Sequence, residues 1–181
     1  MNSTISRAEA FARKRHEGQT RKGAAQEPYI NHVEDVARLT RKFGGNDDEV
    51  CAAWLHDTVE DCPPTSVEEI ARAFSPEIAS IVQELTDNKT LPKAERKRQQ
   101  VVNAPHKSKS AALVKLADKS SNLFSLAHSP SPNWDYDRRM EYLRWAKEVV
   151  FALPSHPTIG LDHFNNACTT AEACIKEEFS K

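Results

Sequence analysis

The sequence is poor in glycine and has no long apolar run. Five of its 181 residues are glycine. Neither G-x-x-x-x-G-K-[ST] nor G-x-G-x-x-G occurs, so a P-loop or a dinucleotide-binding turn does not hold phosphate here. No window approaches the roughly 20 apolar residues of a membrane span, and the first fifteen residues lack the apolar core of a signal peptide. We therefore expect a cytoplasmic protein with no membrane partner.

Excess charge and paired cysteines are also missing. The formal net charge is −1, which gives no global field for binding nucleic acid through its phosphates, so we expect no nucleic-acid partner. Any anion site must be local. The four cysteines form no C-x-x-C pair, and without secretory signals we expect reduced, mostly buried thiols.

Helical patterns are present from end to end, whereas sustained alternation of apolar and polar residues is not. The composition, 39% hydrophobic and 28% charged, is typical of a soluble globular protein. We predict an all-α fold, a single domain over residues 1–181 built as a bundle of about eight to ten helices. Caps, prolines and glycines place the helices at 6–15, 28–43, 46–60, 65–74, 76–85, 92–102, 110–127, 136–153 and 162–179.

The strongest chemical signal lies at the end of the third predicted helix. His56 and Asp57 are about 100° apart on a helix and can reach one ion, and Glu60 and Asp61 follow one turn later on the same face. Four such groups beside the apolar run at 52–55 are costly to bury unless they share a cation. Imidazole mixed with carboxylate predicts a divalent cation with open positions for water, and not a closed structural zinc site.

Two further candidates, His32 and Asp118, lie within apolar stripes and must be satisfied where they are buried. Asn122 is four residues after Asp118, on the same helix face. The residues alone leave open whether His32 and Asp118 meet the His56 helix or are satisfied separately in the core. If they meet it, two positions of an octahedral cation are free for water and a substrate oxygen. A carboxylate nearby can then take a proton from water that attacks phosphorus.

Blocks of residues in a fixed order support a closer comparison. They are GQTRK (18–22), PYINH (28–32), LHDTVED (55–61), LTDNK (85–89), LPK (91–93), VKLADK (114–119) with Asn122, and YLRWA (142–146). These blocks resemble the hydrolase domain of RelA/SpoT-type alarmone enzymes, which is an HD domain, and in particular the stand-alone small hydrolases of the metazoan SpoT type.

The resemblance implies one divalent cation, Mn²⁺, held by His32, His56, Asp57 and Asp118. It implies that an attacking water is positioned and deprotonated by Glu60 and Asp61. Arg21 would lie against the purine base, and Lys22 and Asn122 would hold the ribose and the nearby phosphate. The remaining phosphate and closure contacts would come from Lys93, Arg138 and Tyr142.

The implied reaction removes the 3′-pyrophosphate of guanosine 3′,5′-bis-diphosphate (ppGpp) and of related guanosine and adenosine alarmones. The partner is then a small purine nucleotide with several phosphates, bound by a monomer or a homodimer. Two alternatives stay open: another HD-type nucleotide phosphatase, such as one acting on the 2′-phosphate of NADPH, and an inactive nucleotide-binding module.

Some residues are expected to have no such role, and some depart from the family pattern. Within the charged run 93–98 we assign only Lys93 to function and expect the rest to be a solvated helix face. We expect Trp134 and Trp145 in the core or at a rim. The pair Ser120-Ser121 replaces bulkier residues of the family and would alter the packing of the pocket.

Overall fold

The computed structural model describes residues 3–180 and is helical throughout. The described residues form ten α-helices and a 3₁₀ turn, and their one isolated β-bridge joins Thr20 and Pro28. The prediction of an all-α bundle is confirmed. The helices are α1 (Ser3–Arg15), α2 (Ile30–Lys42), α3 (Asp47–Leu55), α4 (Thr58–Asp61), α5 (Val67–Ala73), α6 (Pro76–Leu85), α7 (Lys93–Asn103), α8 (Lys109–His128), α9 (Tyr136–Phe151) and α10 (Thr158–Phe179), with the 3₁₀ turn at Ala104–His106.

Helix α8 lies at the centre of the bundle, in contact with α2, α3, α6, α9 and α10. A helix surrounded on all sides is buried all round, and even its polar residues Lys115, Asp118 and Lys119 are hidden from solvent. The start of α10 comes so close that a Cβ on Gly160 would lie 2.8 Å from the Leu116 side chain. The central helix therefore brings a carboxylate into the interior, where it needs a charged partner.

Helix α3 begins as its sequence predicts. The Asn46 side chain accepts a hydrogen bond from the Glu49 backbone N–H at 3.0 Å, and the Glu49 carboxylate accepts one from the Asn46 N–H at 2.8 Å. This reciprocal capping satisfies two of the free donors at the helix start. All residues from Val50 to Leu55 are buried, so α3 is anchored along its length and ends at His56.

The single helix predicted over 46–60 is wrong, because α3 ends at Leu55 and α4 begins only at Thr58, with the departure from regular helical dihedrals at Asp57. Asp57 has φ −98° and ψ −4°, and the Thr58 hydroxyl donates to the Leu55 carbonyl at 2.7 Å, a carbonyl that would otherwise continue the helix. The short helix α4 then starts at Thr58. The bend releases the Asp57 carboxylate, which makes no capping hydrogen bond to α4.

Other predicted boundaries shift more modestly. Ser6 does not cap the first helix, which already includes Ser3. The last helix begins at Thr158 and not at Asp162, because Pro157, with φ −59°, is preset for a helix start. Within residues 3–180, none of the helices has the length and apolar character needed to cross a membrane.

Candidate active site

Four predicted metal ligands from three parts of the fold meet beside α8. His32 comes from α2, Asp118 from α8, and the pair His56-Asp57 from the bend after α3. The His56 Nε2 atom is 3.1 Å from Asp57 Oδ2, and His32 Nε2 is 3.5 Å from Asp118 Oδ1 and 3.8 Å from Asp57 Oδ2. Ligands placed about 2.0–2.2 Å from one cation lie about 3.0–3.5 Å from each other. The observed separations therefore suit a single divalent cation with little adjustment.

Each of the two imidazoles is oriented by a contact of its Nδ1 atom. His56 Nδ1 lies 2.7 Å from the Ala53 carbonyl oxygen, which can only accept, so Nδ1 carries a proton and Nε2 is the nitrogen that faces the carboxylates. That Nε2 atom is buried and has no hydrogen-bond partner among the described residues. His32 Nδ1 lies 3.0 Å from the Ser121 hydroxyl. A buried nitrogen without a partner, facing two carboxylates, fits a metal ligand.

Both carboxylates of this group are held in their ionised form. Burial alone would raise the pKa of Asp57, but the His56 and His32 imidazoles beside it bring the pKa well below its usual range. Burial acts in the same sense on Asp118, whereas the ammonium groups of Lys119 at 3.2 Å and Lys115 at 3.7 Å hold its pKa well below the usual range. Anionic oxygens are therefore available to a cation at neutral pH.

Tyr29, which the sequence interpretation left without a role, connects the metal ligands to the predicted catalytic carboxylates. Its hydroxyl donates to Asp57 Oδ2 at 2.6 Å and lies 3.4 Å from Asp61 Oδ2. The ring stacks on His16, with 5.0 Å between centroids, and meets His32 edge-on. Tyr29 falls inside the PYINH block, three residues before His32, and this spacing is the signal that could have identified it.

Glu60 and Asp61 line a cavity of 760 Å³ next to the metal-ligand group. Glu60 accepts a hydrogen bond from the Asp87 backbone N–H at 3.1 Å, and Asp61 pairs with Lys89. Burial, and then the neighbouring Asp87 and Asp57 carboxylates, raise the pKa of Glu60 above its ordinary value. A carboxylate with a raised pKa is a better proton acceptor near neutral pH than an ordinary one.

The predicted substrate-contact residues all lie in this cavity or in a smaller one of 340 Å³ beside it. The larger cavity holds Lys22, Lys93, Arg138 and Tyr142, and the smaller one holds Arg21, Lys22, Asn122 and Tyr142. The two share the walls formed by Lys22, Asp61, Trp134 and Tyr142. They form one cleft with a wide and a narrow half.

The run 93–98, of which only Lys93 is expected to be functional, lies partly along the larger cavity. Arg96 and Lys97 line the larger cavity together with Lys93 and Gln100. These positions are three and four residues apart, so one face of α7 points into the cleft. Burial, and then the nearby Arg138 and Lys97, lower the pKa of Lys93. Because the neighbouring cations repel one another, this cavity favours a ligand with several negative charges.

Trp134 was also expected in the core or at a rim, and it lines both halves of the cleft. The Arg138 guanidinium lies over its ring at 5.1 Å, and its centroid is 5.4 Å from that of Tyr142. No helical periodicity marks this tryptophan, because it lies in the loop before α9. Sequence patterns therefore gave no signal for it.

In the smaller cavity, predicted substrate contacts connect directly to the metal-ligand group. Arg21 donates to the Asn122 side-chain oxygen at 2.9 Å, and the Asn122 amide donates to Asp118 Oδ1 at 2.6 Å. Arg21 also lies over the Tyr29 ring at 5.9 Å. The narrow half of the cleft and the metal-ligand group thus share one hydrogen-bond chain.

The loop that carries Arg21 and Lys22 is attached to the loop after α8. The backbone N–H groups of Ala24 and Ala25 donate to the Pro130 carbonyl at 3.1 Å and to the Ser129 hydroxyl at 3.2 Å. A Cβ on Gly23 would lie 2.2 Å from the Ser129 carbonyl oxygen, so this close approach requires glycine. We call this contact the loop clasp, and its residues form one wall of the smaller cavity.

Comparison with known proteins extends these observations. Residues 8–144 match the HD domain family. The chain is 47% identical over 164 residues to the guanosine-3′,5′-bis(diphosphate) 3′-pyrophosphohydrolase MESH1 of Xenopus tropicalis, a match that covers 88% of this chain and 91% of that protein. It is 47% identical over 145 residues to the protein of the same name from Homo sapiens, covering 79% and 80%.

Solved structures give the same result. A metazoan orthologue of SpoT that hydrolyses ppGpp and plays a role in starvation responses superimposes with a TM-score of 0.83 at 33% identity, covering 98% of this chain and 97% of its own. A Listeria monocytogenes protein superimposes with a TM-score of 0.67 at 28% identity, covering 80% and 99%. The HD domain implies a divalent metal, and a buried group of two histidines and an aspartate, His32, His56 and Asp118, is present to hold one. The chain belongs to the HD-domain family and, within it, to the group of small proteins that includes the metazoan SpoT orthologue.

Proposed function

We propose that this chain, acting as a single domain, is a Mn²⁺-dependent hydrolase that removes the 3′-pyrophosphate of ppGpp and of related guanosine and adenosine alarmones. The observation that carries the proposal is the arrangement of the cleft: a four-residue cation site, two carboxylates beside it, and a cavity crowded with lysine and arginine. The relatives at 47% identity bear the name of that activity. The substrate is then a small purine nucleotide.

In this proposal His32, His56, Asp57 and Asp118 hold the cation. The mixture of two imidazoles and two carboxylates suits Mn²⁺ among other borderline divalent ions. When bound, the cation supplies a Lewis acid and makes water acidic enough to ionise near neutral pH. The chain's own part is to keep both carboxylates ionised and both imidazoles turned with Nε2 towards the cation, as the contacts to Lys119, Ala53 and Ser121 favour.

Glu60 is the residue that takes the proton from the attacking water. Its pKa is raised by burial and by neighbouring carboxylates, and its backbone contact to Asp87 keeps the side chain at the cavity wall. Asp61 shares the Tyr29 hydroxyl with Asp57 and so orients the water relative to the cation site. General-base assistance of this kind is worth about 10²–10⁴-fold in rate.

The two halves of the cleft bind different parts of the substrate. The larger cavity, with Lys22, Lys93 and Arg138 and the additional cations Arg96 and Lys97, takes the phosphates through charge-assisted hydrogen bonds. The narrower half takes the nucleoside, with Arg21 against the base and Asn122 at the ribose. Tyr142 lies in the wall between them and helps to close the pocket.

Product analysis tests the proposal. Metal-stripped protein is supplied with Mn²⁺ and offered ppGpp, its adenosine counterpart or NADPH, and the released phosphorus species are separated by anion-exchange chromatography. We expect pyrophosphate from the two tetraphosphates and no release without the cation. Release of orthophosphate from NADPH, with no product from either tetraphosphate, would assign the chain to the 2′-phosphatases instead. Binding of ppGpp without any product would identify an inactive nucleotide-binding module.

A further inference from the structure

Ser121 occupies an unusual place for a small polar residue. It lies in the middle of the buried helix α8, it is 3% exposed, and its hydroxyl is 3.0 Å from His32 Nδ1 on α2. The two residues are 89 positions apart in the chain, so the contact is made only when α2 packs on α8. We propose that Ser121 is a positioning residue that holds the His32 imidazole in its cation-binding orientation; the inference rests on the cation site proposed above.

The aromatic neighbours of His32 do not determine which ring nitrogen faces the cation site. Tyr29 and His56 both meet the ring edge-on, with centroid distances of 5.7 and 5.5 Å. Such contacts restrict the tilt of the ring, but a half-turn about the Cβ–Cγ bond exchanges the nitrogens for carbons of similar size. The Ser121 hydroxyl distinguishes the two orientations, because only one of them places a ring nitrogen, Nδ1, within hydrogen-bond distance of Oγ. In that orientation Nε2 faces Asp57 and Asp118.

The adjacent serine shows that the contact is specific to one position. Ser120 is equally buried, but its hydroxyl donates to the Leu116 carbonyl at 2.8 Å within α8 and is satisfied there. Both serines and His32 line a cavity of 300 Å³ between α2 and α8. Of the two adjacent serines, Ser121 is therefore the one whose hydroxyl reaches the imidazole.

Removing the partner of a metal-binding histidine costs about 10–100-fold in metal affinity, because the ring loses both its tautomer and its orientation. The test compares Ser121→Ala with the matched control Ser120→Ala and with Ser121→Thr, which keeps the hydroxyl and has room for its methyl in the 300 Å³ cavity. The dissociation constant of Mn²⁺ is measured by calorimetry on the metal-stripped full chain. Thermal unfolding of each metal-free variant checks that it is folded.

We expect Ser121→Ala to bind Mn²⁺ about 10–100-fold more weakly than the unaltered chain, and Ser120→Ala and Ser121→Thr to bind it as the unaltered chain does. The absorption spectrum of bound Co²⁺ should change for Ser121→Ala alone, because a reoriented ligand alters the coordination geometry. Two results would overturn this inference and leave the proposed function intact: equal Mn²⁺ affinity of Ser121→Ala and the unaltered chain, or an equal loss of Mn²⁺ affinity in Ser120→Ala. Failure of the unaltered chain to bind any divalent cation would overturn the proposed function as well.

Discussion

At the scale of single residues, the cleft contains two glutamates in contrasting surroundings. Glu60 is partly buried near Asp87 and Asp57, with Arg96 at 3.7 Å, whereas Glu141 lies in the same cavity with its side chain 62% exposed and paired with Lys97. Only Glu60 has a raised pKa, and only Glu60 is close to the metal-ligand group along the chain. The pair therefore offers a matched comparison of one chemical change at two places in one cavity.

Glu60→Gln should lower kcat about 10²–10⁴-fold, because the amide cannot accept a proton from water. The affinity for Mn²⁺ should be unchanged, since Glu60 is not among the proposed ligands. Glu141→Gln is the control and should retain kcat. Steady-state pyrophosphate release and metal titration measure the two quantities. Retained turnover in Glu60→Gln would remove this residue from the mechanism.

The raised pKa of Glu60 also predicts a pH dependence. A general base works only when ionised, so kcat/KM should be highest above its pKa and fall as the pH decreases through it. Because burial and neighbouring carboxylates raise that pKa above the ordinary 4.5, the acid limb should lie above pH 4.5 at saturating Mn²⁺. A limb that moves with the Mn²⁺ concentration would instead report protonation of His56 in competition with the cation.

At the scale of elements, α3 is secured both at its start and along the buried run that leads to His56. The Asn46–Glu49 capping box satisfies the first donors of α3, and the following buried run anchors the helix up to the bend. The box is remote from the cleft, so it should affect folding without affecting chemistry.

Asn46→Ala should lower the free energy of unfolding by about 1 kcal/mol, the usual cost of an N-cap. Urea denaturation measures the change. Asn103→Ala, at an exposed position near the end of α7, is the control and should change stability by less than about 0.5 kcal/mol. Turnover of Asn46→Ala at a temperature well below its unfolding should match the unaltered chain. A large loss of kcat there would mean that α3 positions His56 less rigidly than the buried run implies.

The elements also explain what the sequence could predict. Caps and apolar spacing are local, so eight of the nine predicted helices and the capping box at Asn46 were predictable. The bend at Asp57 was not predictable, because no residue type marks the break. The hydrogen bond from the Thr58 hydroxyl to the Leu55 carbonyl becomes visible only in the structure. Whether His32 meets Asp118 depends on the packing of α2 on α8, and only the family resemblance predicted it. The roles of Arg96, Lys97 and Trp134 required knowing which way α7 and the loop before α9 face.

At the scale of the whole molecule, the proposed cation site joins α2, α8 and the bend after α3. An ion that binds there binds the folded state and not the unfolded chain, so it stabilises the entire fold. Without an ion, one buried nitrogen of His56 lacks a partner, which is unfavourable in the interior.

Adding Mn²⁺ at about 100 times its dissociation constant should therefore stabilise the protein by about 2.7 kcal/mol, seen as a higher Tm by differential scanning fluorimetry, and EDTA should reverse it. Asp118→Asn should lose this dependence on Mn²⁺, and Glu141→Gln should keep it. An unaltered chain whose Tm is the same in Mn²⁺ and EDTA would contradict a cation site that joins these elements.

The loop clasp has a consequence for how this protein can vary. The backbone of Gly23 rests against that of Ser129, and both residues line the narrow half of the cleft. The metal ligands and Glu60 lie on other elements, and the hydrogen bonds from Arg21 to Asn122 and from Asn122 to Asp118 connect the clasp loop to them. In the proposed function, substitutions in the clasp that keep these bonds can therefore change which nucleoside is accepted while the hydrolytic residues stay as they are. Selectivity and reactivity then lie on different elements linked through Arg21 and Asn122, so evolution or design can change the first without replacing a residue of the second.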